Sequence, residues 1–171
     1  MTKHSMVAHL RTAHAALAVI IIVSIAGCSY APVDGTVEDV RLYLDRTDQL
    51  DQENLAIAAR FRSALIVADR EEKVHRVRTL SAAMTDVIYT MRVTVPPPHL
   101  RDYHSQLLMA WSAHKDYLDE SDRYLTSGGS LDELSRLYAT YIGAERTAYR
   151  IYNEYARDSR LHPKDLRALS E

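Results

Sequence analysis

The chain has 171 residues, a formal net charge of −2 and a single cysteine. Its basic and acidic residues are interspersed, not blocked, which excludes the footprint of a nucleic-acid binder or of a polybasic lipid-binding face. One cysteine excludes an internal disulfide, and five glycines and five prolines leave room for long helices.

Residues 1–27 carry Lys3 and Arg11 and no acid, and an apolar run extends from Ala15 to Ile25. The run is about half of the roughly 20 apolar residues that a spanning helix needs. A positive start, a short apolar core and small residues at its end are the parts of a secretory signal. Ile25-Ala26-Gly27 stand directly before Cys28. In this lipobox the sequence resembles the bacterial lipoproteins cut by the lipoprotein signal peptidase. The resemblance implies acyl chains of the palmitate type on Cys28 and cleavage between Gly27 and Cys28. It also implies an anchor on the exported face of a cell membrane or outer membrane. Two or three acyl chains on one residue hold a protein stably, whereas one chain binds only marginally. The mature chain would begin at Cys28 with 144 residues and 19 basic against 23 acidic side chains, a net charge of −4. With Cys28 lipidated, no thiol is left for catalysis or for a metal.

Residues 28–35 form a lipidated tether, and Thr36 with Asp39 has the spacing of a helix N-cap. From Thr36 to Val95 there is neither Gly nor Pro. Val37, Val40, Leu44, Leu55, Ala58, Phe61, Leu65 and Ala68 step by threes and fours, interrupted by the polar stretch Asp45 to Asn54, which reads as a solvent-rich or loosely packed part of the helix. Val74, Val77, Ser81, Met84, Ile88, Met91 and Val95 repeat the pattern without a miss. Asp69 to Lys73 is the most polar pentapeptide between the two stripes. A tight turn is expected there, with the reversal within 66–74. One continuous rod of 60 residues would leave the second stripe uncovered unless another chain packed on it, so a hairpin and a monomeric soluble domain are expected.

Pro96–Pro98 break the helix, and Pro98 can open the next one. Leu100, Tyr103, Leu107, Ala110, His114, Tyr117, Ser121 and Tyr124 form its inward row. Ser127-Gly128-Gly129-Ser130 closes it, with a glycine as the left-handed cap and Ser130–Glu133 as a capping box. The last helix carries Leu131, Leu134, Tyr138, Tyr141, Ala148, Tyr152 and Tyr155, and Leu161, Leu166 and Leu169 could dock a short tail. The expected helices are 36–68, 72–95, 98–126 and 130–158, followed by a tail over 159–171. Short connections make the fold all-α, an antiparallel up-down-up-down four-helix bundle. Met84, Ile88, Met91, Leu107, Trp111 and Leu134 are expected to share its core. The layout, with Pro97, Pro98 and a later His104 opening the third helix, resembles a broad group of helical-bundle bacterial lipoproteins. That likeness implies no activity.

Glu72 and His75 make one Glu-x-x-His, but a di-iron carboxylate bundle needs two such units and two further Glu. A solvated charge pair is the simpler reading, and no metal site or cofactor is assigned. Eleven tyrosines stand against one Phe and one Trp, and five of them crowd the last helix. A possible ligand pocket is drawn from His104, His114, Tyr138 and Tyr141, while a hydrogen-bonded core histidine at 114 and a tyrosine row packed into the core are the simpler readings. The two histidines are ten residues apart, about 80° around the axis, so they cannot hold one ion together. No nucleophile elbow, zincin motif or phosphate loop occurs, so no catalytic residue is named. The function expected is that of a non-enzymatic, lipid-anchored envelope module with a structural or interaction role, meeting the membrane through Cys28 and an envelope protein partner, with no nucleic acid. A bundle that binds a small ligand, haem or metal is the alternative.

Overall fold

A computed structural model describes residues 36–159 and residue 164. The lipobox Ile25–Gly27, Cys28 and the tether lie outside the described residues, as do the tail leucines 161, 166 and 169. The elements are α1 (Val37–Leu65), α2 (Arg70–Val93), a 3-10 turn (Pro98–Leu100), α3 (Arg101–Ser127) and α4 (Leu131–Ser159). All four helices pack around one core, and no strand occurs among the described residues.

Side-chain contacts fix the directions. Arg78 meets Asp122 and Ser81 meets Asp119, so α2 runs against α3. Tyr103 packs on Tyr152 and Tyr117 on Tyr138, so α4 runs against α3. Tyr43 reaches His104, Asn54 reaches His114 and Phe61 packs on Tyr117, so α1 is parallel to α3. This is the up-down-up-down order. With 27 residues, α3 is about 40 Å long.

Local chemistry sets the ends. Thr36 Oγ1 accepts from the Asp39 amide and the Asp39 carboxylate accepts from the Thr36 amide, a reciprocal box that starts α1. The reversal between α1 and α2 is shorter than Asp69–Lys73 suggests. It occupies Ile66–Asp69, and Arg70–Lys73 are already helical. The Asp69 carboxylate accepts from the Glu72 amide at 2.7 Å, satisfying an otherwise orphaned helix donor. The polar run is therefore a capped first turn and not a loop. Arg70 then donates from Nε to the Leu125 carbonyl at 2.8 Å and from Nη2 to that of Thr126 at 3.2 Å. A cation thus sits on the negative end of α3.

Pro98 does not open α3 directly. It begins the 3-10 turn, whose Leu100 amide donates to the Pro97 carbonyl, and α3 follows from Arg101. At the other end Gly128 has φ +79° and caps α3 in the left-handed region. A Cβ at Gly129 would crowd the α3 backbone, at 3.1 Å from Tyr124 N and 3.2 Å from its Cα, and would displace Glu120 Oε1. Ser130 accepts from the Glu133 amide, but the reciprocal half of the expected capping box does not form, because the Ser130 amide donates to Glu120 Oε1 and the Glu133 carboxylate pairs with Arg136.

Met84, Ile88, Met91, Leu107 and Trp111 are buried together, but Leu134 is only half-buried and Leu137 takes the inward place. The larger correction is in α1. Its buried row is Tyr43, Thr47, Leu50, Asn54, Ile57, Phe61 and Ala64, again by fours and threes, with Leu44 and Asp51 beside it. Val37, Leu65 and Ala68 are exposed, and so are Val95 and Tyr124 of the later rows. The stretch from Asp45 to Asn54 is consequently no solvent-rich gap. Thr47, Asp51 and Asn54 occupy core positions of an uninterrupted helix.

Candidate functional site

A polar residue at a core position must find partners, and those of α1 organise the middle of the bundle. Asn54 is fully buried. Its Nδ2 donates to Glu145 Oε1 of α4 at 2.8 Å and lies 3.4 Å from the Tyr141 hydroxyl. With Nδ2 acting as the donor, Asn54 Oδ1 is the acceptor for His114 Nδ1 of α3 at 2.7 Å. That bond places the imidazole proton on Nδ1 and leaves the lone pair on Nε2. The His114 ring lies flat against Tyr141, with centroids 4.3 Å apart and planes 8° apart. Three helices are thereby joined through one amide.

Burial shifts both titratable members toward neutrality. It pushes the His114 imidazole down to about 4 by stripping water from the charged form. Burial also pushes the Glu145 carboxyl up to about 8, and the negative charge of Asp51 adds to it, while Tyr141, Asn54 and the Lys164 cation oppose. At neutral pH the pair is uncharged. Glu145 Oε2 is buried and makes no hydrogen bond among the described residues.

A cavity of about 290 Å³ opens beside this pair, between α1, α3 and α4. Phe61, Tyr117, Tyr138 and Tyr141 give it aromatic walls, and His114 and Glu145 are its most deeply buried lining residues. Arg62, Leu65 and Tyr138 line it from exposed positions, with Tyr138 47% exposed. The volume is close to the lower bound for small-molecule pockets, and apolar walls with a few fixed polar groups are their usual composition.

Of the four residues proposed from sequence, His114, Tyr138 and Tyr141 line this cavity together. His104 does not. It lies about 15 Å away along α3, bonded through Nδ1 to the Tyr43 hydroxyl at 3.2 Å. Glu72 is exposed and paired with Arg76, and His75 is exposed at the surface of α2. Among the described residues no three His, Cys, Asp or Glu side chains are placed to hold a metal ion. Asn54 is the residue that apolar patterning alone passes over, although it continues the row from Tyr43 to Ala64. Glu145 is legible from spacing as the acid at a core position of the last helix, one turn beyond Tyr141.

No protein-family model, curated protein or solved structure matches the chain.

Proposed function

We propose that the chain is an exported lipoprotein, held to a membrane by lipid on Cys28, whose bundle binds a small, uncharged, ring-bearing molecule without catalysis. The observation that carries the ligand reading is the wall around His114 and Glu145. Aromatic faces there stand over a buried imidazole and a neutral carboxyl, whose Oε2 has no hydrogen-bond partner among the described residues. The anchor reading rests on Ile25–Cys28 and on the short apolar run before it.

Native mass spectrometry of the full chain, extracted from its membrane in mild detergent, tests both parts. The expected spectrum shows acylation at Cys28 and an additional small-molecule adduct. Ala58→Trp, which fills the cavity, loses the adduct and keeps the lipid, whereas Cys28→Ser loses the lipid and no longer enters the detergent phase. An adduct that survives Ala58→Trp, or no adduct at all, rejects the cavity as the binding site. Persistent detergent partitioning of Cys28→Ser rejects the anchor.

Docking of an envelope protein is the second reading, because Leu65, Ile66 and Tyr138 remain exposed near the cavity mouth. A protein co-extracted with the wild type and lost on Tyr138→Ala, in the absence of any small adduct, would favour it.

A further inference from the structure

A second polar nest lies on the side of Asp51, one turn before Asn54, and contains a cation. Lys164 comes from beyond the end of α4, and its backbone is gripped by the Asn153 side chain. The Lys164 amide donates to Asn153 Oδ1 at 2.7 Å, and its carbonyl accepts from Asn153 Nδ2 at 3.0 Å. The Lys164 ammonium reaches Asp51 Oδ2 at 2.6 Å and Asp48 Oδ1 at 3.0 Å. Three rings surround it, with centroids at 5.1 Å for Tyr149, 5.6 Å for Tyr152 and 5.8 Å for Tyr103. All three distances fall within the reach of a cation–π interaction. The Tyr149 hydroxyl donates to the same Asp51 oxygen at 2.7 Å and so braces it.

Two features give this nest the character of a binding site and not of a simple ion pair. Its five walls belong to α1, α3 and α4, and are held in place by the bundle, while the cation is brought by a residue outside those helices. The nest also has more polar capacity than Lys164 uses, since Asp51 Oδ1 is buried without a partner among the described residues. Aromatic faces with carboxylates recognise the charged head of an alkylammonium ion, whatever it is attached to. We propose that Asp48, Asp51, Tyr103, Tyr149 and Tyr152 form a cage for small alkylammonium ligands, which Lys164 occupies as a built-in competitor. None of the five cage residues lines the His114 cavity, although the charges of Asp51 and Lys164 act on Glu145 there.

A tethered competitor acts at an effective concentration in the millimolar range, so its removal exposes the site. Isothermal titration of n-butylammonium chloride into the full chain, against sodium chloride of equal ionic strength, is the test. Lys164→Ala is expected to bind one equivalent saturably. The wild type is expected to bind at least ten-fold more weakly, and Lys164→Ala with Asp51→Asn not at all. Ala58→Trp in the Lys164→Ala background leaves the affinity unchanged, which separates this site from the His114 cavity. If the Asp51 double variant does not fold by circular dichroism, Asp48→Asn at the exposed rim replaces it, with at least a three-fold loss expected. The proposal is overturned by no saturable heat in Lys164→Ala, by equal affinity in the wild type, or by binding that survives loss of the carboxylate.

Discussion

Glu145→Gln is expected to stabilise the bundle, by on the order of 3 kcal/mol at pH 7 and by about 1 kcal/mol at pH 5. Gln reproduces the neutral acid that burial enforces. It keeps an oxygen for Asn54 Nδ2 and places an N–H where the protonated Oε2 stands. The folded carboxyl titrates near 8, well above its ordinary value. The folded state therefore holds a proton that the unfolded state has released, and stability present below the ordinary carboxyl range is lost as pH rises toward 8. His114 has the opposite sign. Its folded value is near 4, so below its ordinary value the unfolded state binds the extra proton, and stability is lost as pH falls from about 6.5 to 4. The two slopes oppose each other between about pH 4.5 and 6.5, and only that of Glu145 acts between 6.5 and 8. The wild type should therefore melt at nearly constant temperature over the first interval and progressively lower over the second. In the Gln variant the alkaline decline should vanish. A variant that melts at or below the wild-type temperature at pH 8 would show that the Glu145 carboxylate is compensated in the folded protein.

Leu107→Ala should destabilise the protein by roughly 2–5 kcal/mol. Leu107 is fully buried in the row from Leu100 to Ser121, in the same core as Met84, Ile88, Met91 and Trp111. Its removal takes away transfer energy and leaves a hole that helices tied on several sides cannot collapse to fill. Urea denaturation of the full chain in detergent measures the change. A loss below half a kcal/mol would mean that the neighbouring side chains relax into the space.

The helices were legible where chemistry acts within a few residues. Thr36 with Asp39, Gly128, and the rows of α2 and α3 all depend on neighbours three or four positions away. The middle of α1 was not legible, because its row continues through Thr47 and Asn54. A pattern sought in apolar residues alone registers those positions as a gap. His114 and Tyr141 could be read as inward-facing by spacing, but spacing along one helix does not give the level at which another helix supplies partners. His104 was therefore grouped with residues from which it is separate. Lys164 was beyond reach for the same reason, since 113 positions separate it from Asp51.

The bond from Asn54 to both His114 and Glu145 has a consequence for alignment. Helices held by leucine and alanine alone can slip past one another by one turn, about 5.4 Å, and bury nearly the same area. A slip of α1 would carry Asn54 away from both partners at once. It would strand an amide, an imidazole and a carboxyl in an apolar interior, each at the cost of a lost buried hydrogen bond. Asn54 therefore penalises every other registration of α1, as a single buried asparagine does in coiled coils.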